Sequence, residues 1–396
     1  MDADAKPRKF TGADREIEIY RRALAGGASA APLSLADLEK KAREVLDGRA
    51  DDYVAGGAGG EQTMRANLEA FYRWRIVPHM LRNVAERDLR VKLLGLDLPA
   101  PVLLAPIWVL GIVHRDAEPA VARAAASVGL PFCLSTVSSF SIEAVAQAAG
   151  SGARWFQLYW GKNRELTASL VRRAEQAGYG AIVVTLDTHL LGWRERDLHN
   201  GYLPFLLGEG LANYLGDPVF RALLPSAPEA QRKPAAIQAW AALFSNSALT
   251  WDDLPFLREH TRLPIVLKGI LHPDDARRAL DYGVAALIVS NHGGRQVDGA
   301  VAALDALPAV VRAVAGRLPV LFDSGIRRGA DVCKAIALGA TAVLLGRPYA
   351  WGLAMAGEEG VREVLLNLLA DFDLTLALSG YKACGKLDAG SLVRSE

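Results

Sequence analysis

Cysteine is scarce in this sequence of 396 residues, which has only Cys133, Cys333 and Cys384. They are odd in number, widely spaced and form no CxxC or CxxxC pair, which argues against a disulfide framework and a zinc site, and we predict no metal. Charge of either sign is not in excess either. The net charge of +1 gives no electrostatic reason to expect nucleic acid as a partner.

Long hydrophobic runs are also missing. The first twenty residues are charged and lack the apolar h-region of a signal peptide. Glycine, proline or charge interrupts every apolar segment before it reaches the ~18 residues that cross a membrane. We therefore expect a cytoplasmic protein with no membrane partner. What the sequence does have, 51% hydrophobic and 22% charged residues, is typical of a globular enzyme with a sizeable core.

Eight short apolar runs alternate with helical patterns from about residue 100 onwards. Each run is almost wholly apolar, as expected of parallel strands that are covered on both faces. The runs lie at 101–107, 131–136, 154–159, 181–187, 264–269, 286–291, 319–325 and 342–347. Eight β/α units within about 250 residues predict an α/β protein with one closed (β/α)8 barrel, a TIM barrel. A doubly wound sheet is the alternative, but it usually has fewer strands and a GxGxxG after the first, which is missing here.

Two regions lie outside this repeat. Residues 1–95 are predicted to be a helical extension packed on the barrel of residues 96–396. It is expected to contain a helix in 34–46 capped by Ser34 and a glycine-rich turn at 51–63. About 60 residues, 188–247, separate the fourth strand from the helix before the fifth. An insertion at the carboxyl end of a barrel strand predicts a lid, over about 198–247. Its apolar face is alternatively an oligomer contact.

Polar residues cluster where the predicted strands end. In a barrel enzyme the chemistry lies at the carboxyl ends of the strands, so these side chains are expected to converge at one rim. They are Gln157, Tyr159, Thr185, Asp187, Arg194, Lys268, Asn291, His292, Arg295, Asp323, Gly325, Arg327, Gly346 and Arg347.

The last two strand ends suit a phosphate group. In DSGIRRG (323–329) and GRP (346–348), glycines let backbone N–H groups approach an anion, and Arg327 and Arg347 add positive charge. The helix that follows offers its positive N-terminus. Structural glycines with solvated arginines are the alternative interpretation.

Four other rim residues suit chemistry on a substrate that carries a carboxylate. His292 can accept a proton near neutral pH, and Arg295, three residues later, can bind a carboxylate at two points. Asp187 could stabilise the imidazolium, unless it is only a helix cap or ion-pair partner. Lys268 ends an apolar strand, where it could form a Schiff base or face an anion that develops on a cofactor; both remain open.

These residues bring the sequence close to a known family. SNHGGRQ (290–296), DSGIRRGADV (323–332) and LGRPYAWG (345–352), with FQLY, TLDT and VLKG in the expected order, resemble the FMN-dependent L-2-hydroxy acid oxidases and dehydrogenases, which include glycolate oxidase, lactate oxidase and lactate 2-monooxygenase. The resemblance runs from about Tyr53 to Leu387. It implies FMN as cofactor and a small L-2-hydroxy acid as substrate.

The resemblance also implies residue roles. Arg194, Arg295 and Tyr53 are expected to bind the substrate carboxylate. His292 is expected to take the hydroxyl proton with Asp187 holding its ring, Tyr159 to bond the substrate oxygen, and Lys268 to lie near flavin N1 and O2. The hydrogen on the carbinol carbon leaves to the flavin as hydride or through a carbanion. The residues expected to contact FMN are Pro106, Ile107, Ser135, Gln157, Thr185, Lys268, Asp323, Ser324, Gly325, Arg327, Gly346 and Arg347.

Trp108 departs from the family pattern, which has Gly or Ala at this place. Either its indole shrinks the substrate pocket, or it swings aside and stacks on a larger substrate, or it rotates into the lid without effect on the pocket. Small acids such as lactate are thus a less secure expectation than the chemistry. A flavin-binding protein whose pocket Trp108 blocks is another alternative.

The fate of the product depends on the lid. The segments 189–197 and 201–224 resemble those of lactate 2-monooxygenase, which favours coupled oxidative decarboxylation with O2 over a simple oxidase that releases hydrogen peroxide. Transfer of electrons to a quinone or cytochrome is less favoured. A barrel enzyme of the IMP dehydrogenase type is a further alternative, but it would need a nucleophilic cysteine on a loop, whereas Cys333 falls on a predicted helix face.

The resemblance also bears on the oligomeric state. Relatives are tetramers or larger, so we expect a homotetramer or octamer.

Overall fold

The computed structural model describes residues 11–225 and 229–395. Eight parallel strands close a barrel in which each strand pairs with its chain neighbours and the last pairs with the first. In chain order they are β4 (Val102–Leu104), β5 (Phe132–Ser135), β6 (Arg154–Leu158), β7 (Ile182–Thr185), β8 (Ile265–Ile270), β9 (Ala286–Val289), β10 (Val320–Phe322) and β11 (Ala342–Leu345). The predicted TIM barrel is confirmed, and each predicted apolar run overlaps one of these strands.

The barrel strands are apolar throughout because both of their faces are buried. Alternate residues, such as Leu103, Val183 and Ile288, form a cluster inside the barrel, while the residues between them pack against the surrounding helices. Four short strands lie outside the barrel: β1 (Trp74–Ile76) pairs with β12 (Leu392–Arg394), and β2 (Val91–Leu93) forms a hairpin with β3 (Leu96–Leu98). Leu93 and Leu98 of this hairpin join the interior cluster.

Helices surround the barrel and precede it. The described α-helices are α1 (Gly12–Leu24), α2 (Leu35–Val45), α3 (Gly48–Ala55), α4 (Gln62–Tyr72), α5 (Ala117–Ser127), α6 (Ile142–Ala149), α7 (Arg164–Gln176), α8 (Glu195–His199), α9 (Ala212–Leu215), α10 (Pro218–Ala222), α11 (Glu229–Phe244), α12 (Leu254–His260), α13 (Pro273–Ala279), α14 (Ala303–Val314), α15 (Gly329–Ala337) and α16 (Arg347–Leu378). Helices α1 and α2 pack against α16, which is kinked at Ala356 and Gly357.

The N-terminal region agrees with the sequence in one place and differs in another. The predicted helix in 34–46 is confirmed as α2, with the Ser34 hydroxyl accepting from the Asp37 N–H at 3.4 Å. The predicted turn over 51–63 is wrong at both ends, because α3 runs as far as Ala55 and α4 begins at Gln62. Asp47 caps α3 and its interior residues are buried, so burial outweighs the turn signal of the glycines that follow. Tyr53 is therefore a helical residue.

The long connection between β7 and β8 forms a compact helical layer. It contains the helices α8 to α11 and a packed group of three rings, Phe205, Trp240 and Phe244, which we call the lid cluster. The ring centroid of Trp240 lies 4.8 Å from that of Phe205 and 4.7 Å from that of Phe244. Within the described ranges, no helix is long and apolar enough to cross a membrane. The division into an extension, a barrel and a lid stays a prediction.

Candidate active site

A cavity of about 810 Å³ opens at the carboxyl ends of the barrel strands. Its walls come from α3, from β8 and from the loops after β4, β7, β9, β10 and β11, so residues distant in sequence converge as expected of a barrel rim. The predicted site residues that line it are Tyr53, Pro106, Ile107, Trp108, Arg194, Lys268, His292, Arg295, Asp323, Ser324, Gly325, Arg327, Gly346 and Arg347.

A largely buried histidine–aspartate pair lies at the edge of this cavity, with His292 in its wall. His292 Nδ1 is 2.7 Å from Asp187 Oδ1 and 3.1 Å from the Thr188 hydroxyl, which leaves Nε2 as the ring nitrogen without a described partner. Burial would raise the pKa of Asp187, but the charges of His292 and Lys268 outweigh it and hold that pKa at about 2. Burial lowers the pKa of His292 below 6.5, and Asp187 offsets this only in part. A neutral imidazole next to a fixed carboxylate is the form that accepts a proton.

The loop after β9 presents His292 through an unusual backbone. His292 has a φ of 59° and Gly293 a φ of 65°, so both are left-handed. The left-handed φ favours glycine at Gly293, and a Cβ there would lie 2.9 Å from Arg347 Nη1 and would displace that guanidinium. The Ser290 hydroxyl accepts from the His292 N–H at 3.0 Å and holds the turn.

Lys268 is a paired, charged lysine. Its Nζ donates to the Ser290 hydroxyl at 2.9 Å and lies 3.3 Å from Asp323 Oδ2 and 3.8 Å from Asp187 Oδ2. Burial acts to lower its pKa, but the two carboxylates outweigh burial and the pKa is raised. Because a Schiff-base lysine must be neutral to attack, this setting favours the electrostatic role over the covalent one.

Two guanidinium groups and a tyrosine share one side of the cavity. Arg194 Nη2 donates to Gln296 Oε1 at 3.0 Å, and Arg295 Nη1 donates to the Gly56 carbonyl at 2.7 Å, with its Cζ 5.1 Å from the Tyr53 ring centroid. Burial and the neighbouring charge of Arg194 lower the pKa of Arg295 to about 10, and burial raises that of Tyr53 to about 12. Asp197 Oδ2 lies 3.9 Å from Arg194 Nη1, so the two guanidinium groups share this one described carboxylate and would gain from a bound second one.

The opposite end of the cavity suits a phosphate. Burial lowers the pKa values of Arg347 and Arg327, and all three hydrogen bonds of the Arg347 guanidinium within the described chain end on carbonyl oxygens, those of Val54, Gly56 and Gly293. A Cβ on Gly346, which starts α16, would meet no atom within 4 Å and would point into open space. Partly buried guanidinium groups that form no salt bridge with the described residues, beside a helix N-terminus, fit a phosphate monoester.

Five predicted residues are not among those that line this cavity: Ser135, Gln157, Tyr159, Thr185 and Asp187. Ser135 donates to Gln157 Oε1 at 3.0 Å, and Gln157 Nε2 donates to the Thr185 hydroxyl at 2.9 Å, so these three side chains bond to one another. Tyr159, Thr185 and Asp187 line a separate cavity of about 1150 Å³ beside the segment 244–254. The hydroxyl of Tyr159 accepts a hydrogen bond from Trp108 Nε1.

Trp108 lines the cavity and also packs against the lid. Its ring centroid lies 4.9 Å from that of Tyr159, 5.1 Å from that of Phe205 and 5.7 Å from that of Phe244, and Arg194 Cζ lies 5.5 Å from the indole centroid. The indole is buried. In this position the indole is part of the cavity wall and also contacts the lid cluster.

Several residues that support the site were not singled out from the sequence. Thr188 and Ser290 contact His292, while Gln296 holds Arg194 and also donates to the Asp187 carbonyl at 2.7 Å. All three lie inside the TLDT and SNHGGRQ motifs, so their place in these motifs could have predicted that they belong to the site. Cys333 is buried on α15, and burial raises the pKa of its thiol, which speaks against a nucleophilic cysteine.

Comparisons with known proteins agree with this geometry. Residues 42–394 match the family model described as FMN-dependent dehydrogenase. The chain is 44% identical to an L-lactate oxidase of Lysinibacillus sphaericus over 92% of this chain and 94% of the relative. It is 48% identical to the FMN-dependent alpha-hydroxy acid dehydrogenase qulF of Penicillium citrinum over 87% of this chain and 86% of the relative. A crystal structure of mandelate oxidase superposes with a TM-score of 0.81 at 41% identity, covering 92% and 98% of the two chains.

The fold and the site define a flavin-dependent oxidoreductase of 2-hydroxy acids on a TIM barrel. The chain belongs to the FMN-dependent dehydrogenase family. FMN is its cofactor, and the phosphate-sized, cationic end of the cavity fits that group.

Proposed function

We propose that this protein oxidises a small L-2-hydroxy acid to the 2-keto acid with O2 as the final acceptor. The observation that carries the proposal is the convergence in one cavity of a buried base, His292, with two guanidinium groups, Arg194 and Arg295. A base beside a double cation suits an alcohol next to a carboxylate. When bound, FMN supplies the two-electron acceptor for the oxidation.

The arginines orient the acid. Arg194 and Arg295, with Tyr53, hold the carboxylate and fix one end of the substrate, so its hydroxyl faces Nε2 of His292. Their remaining bonds to Gln296 and Gly56 keep both guanidinium groups in place before substrate arrives. Such positioning can lower the barrier by about 7 kcal/mol or more.

His292 takes the hydroxyl proton. Asp187, ionised because its pKa is about 2, holds Nδ1 and stabilises the imidazolium that forms at Nε2. Tyr159 bonds the substrate oxygen, and Trp108 donates to its hydroxyl, so the proton of Tyr159 is available for another acceptor. Lys268 keeps a positive charge at the floor of the site.

Arg327 and Arg347, with the backbone at Gly325 and Gly346, are the proposed holders of the FMN phosphate. Pro106, Ile107, Asp323 and Ser324 line the same cavity. Ser135, Gln157 and Thr185 would turn their polar groups towards the flavin ring in place of their present bonds to one another. These roles are proposals from the position of each side chain.

Coupled decarboxylation of the lactate 2-monooxygenase type is the finer proposal. It requires the keto acid to stay behind the lid while peroxide is formed, and the contact of Trp108 with the lid cluster provides a buried wall for such retention. A simple oxidase that releases hydrogen peroxide is the competing outcome. A cytoplasmic location and a tetrameric or octameric assembly stay predictions.

The experiment measures oxygen uptake, hydrogen peroxide and carbon dioxide together during turnover of lactate by the flavin-loaded protein. One carbon dioxide and almost no peroxide per oxygen would support monooxygenation. Near-stoichiometric peroxide without carbon dioxide would refute it and leave a simple oxidase. Oxidation of the acid that needs an added dye and leaves oxygen unused would contradict O2 as the acceptor.

A further inference from the structure

Glu118, in the first turn of α5, is a fully buried carboxylate outside the predicted site. Its Oε1 accepts the N–H of Leu110 at 3.1 Å and the N–H of Ser139 at 3.0 Å. Leu110 lies two residues after Trp108, and Ser139 lies in the loop after β5. One carboxylate oxygen therefore joins the loop that carries Trp108 to its neighbour.

Two other hydrogen bonds join the same loops. The Gly111 N–H donates to the Ser139 hydroxyl at 2.9 Å, and the Val109 N–H donates to the Val137 carbonyl at 3.1 Å. Val109 has a φ of 52°, a left-handed conformation that β-branched residues rarely adopt. Such a backbone persists only where its surroundings hold it.

The lid rests on this junction. Buried Asn213 of α9 donates to the Thr136 carbonyl at 2.9 Å and to the Ser138 hydroxyl at 3.0 Å. Gly210 has a φ of 75°, and a Cβ there would lie 2.7 Å from Val109 Cγ2. The wall of the substrate cavity and the lid thus share one support.

Burial of the Glu118 carboxylate has a free-energy cost. Burial raises the pKa of Glu118 to about 7, although the backbone N–H groups around it oppose the rise. Its second oxygen, Oε2, is buried and has no hydrogen-bond partner among residues 11–225 and 229–395. An oxygen that accepts two N–H groups fixes two loops at one point, which an apolar side chain cannot do.

We propose that Glu118 is a positioning residue that sets the place of Trp108 and, through the indole, the length of the 2-hydroxy acid that the enzyme accepts. The proposal rests on the proposed function, because acid length has meaning only for that chemistry. Glu118 itself does not line the substrate cavity. Its influence passes through the loop of Trp108.

The test compares Glu118→Ala, Glu118→Gln, Trp108→Gly and the Glu118→Ala/Trp108→Gly double variant as flavin-loaded proteins. One readout is backbone hydrogen exchange of peptides that cover 105–113 and 137–142. The other is the ratio of kcat/KM for 2-hydroxyhexanoate to that for lactate. Glu363→Ala is the matched control, since it removes another fully buried acid, one whose ion pairs join α16 to Arg15 and Arg22 of α1 and not to these loops.

Glu118→Ala is expected to speed exchange in both peptides and to change the ratio about tenfold, which corresponds to about 1.4 kcal/mol. Glu118→Gln keeps an oxygen that can accept both N–H groups and should resemble the wild type in both readouts. The change in ratio should vanish in the Trp108→Gly background, whereas a merely structural loss would persist there. Glu363→Ala should lower stability without moving either readout.

Unchanged exchange in Glu118→Ala, or a full change of ratio that survives in the double variant, would overturn the proposal. If Glu118→Ala does not fold, Ser139→Ala removes the parallel bond to Gly111 and carries the same expectations. If no 2-hydroxy acid reduces the flavin of any variant, the proposed function fails, while hydrogen exchange still decides whether Glu118 holds the loop.

Discussion

Replacement of Trp108 by glycine should widen the range of acids that the enzyme turns over. The indole is buried between Tyr159, Phe205 and Phe244 and lines the substrate cavity, so its loss leaves a hollow next to the proposed site of the alkyl group. Each methylene that enters such a hollow contributes about 0.8 kcal/mol. An acid two methylenes longer than the preferred one should therefore gain about 15-fold in relative kcat/KM.

The same change removes a large buried side chain and should lower the free energy of unfolding by about 3–5 kcal/mol. Trp108→Phe is the matched control, because it keeps most of the volume but removes the N–H that bonds the Tyr159 hydroxyl. It should leave the preference for acid length nearly unchanged and alter kcat instead.

The assay is stopped-flow reduction of the flavin without oxygen, using glycolate, lactate, 2-hydroxypentanoate and mandelate. Equal selectivity in Trp108→Gly and the wild type would show that the indole is not a wall of the pocket. Reduction in Trp108→Gly but not in the wild type would instead support the blocked-pocket alternative.

Three further outcomes follow from the site. First, kcat/KM should fall as the pH drops through a value below 6.5, because protonation of His292 removes the base. Asp187→Asn removes the anion that raises the pKa of His292, so this fall should move to lower pH. A pH profile with no acid limb would contradict the assignment of His292 as the base. Tyr53→Phe should raise KM about tenfold with little change in kcat, and a lower kcat at constant KM would place Tyr53 in the chemical step instead. Arg347→Gln should weaken FMN binding about tenfold or more in a flavin fluorescence titration, and unchanged affinity would exclude a phosphate contact.

The barrel was predictable from the sequence because its strands are buried on both faces and so appear as unbroken apolar runs. The rim residues were predictable because strand ends in such a barrel point to one place. The end of α3 was not predictable from the sequence. The glycines that follow Tyr53 indicate a turn from local sequence alone, whereas the burial that stabilises the helix depends on residues distant in the chain. The place of Trp108 was also open, because it depends on lid rings about a hundred residues away.

Glu118 shows a different limit. A lone glutamate at the start of a helix is usually a solvated residue that favours the helix dipole. Only the approach of Ser139, which follows the next barrel strand, turns it into a buried acceptor for two loops. Contacts of this kind join loops after neighbouring strands, and spacing along the chain does not encode them.

The most direct test of the central claim is an anaerobic titration of the FMN-loaded protein and of His292→Gln with L- and D-2-hydroxy acids, followed through the visible absorbance of the flavin. We expect an L-2-hydroxy acid to bleach the wild-type flavin and His292→Gln to keep its flavin but resist bleaching. A wild-type flavin that no 2-hydroxy acid bleaches, or a His292→Gln variant that bleaches as fast as the wild type, would contradict the account.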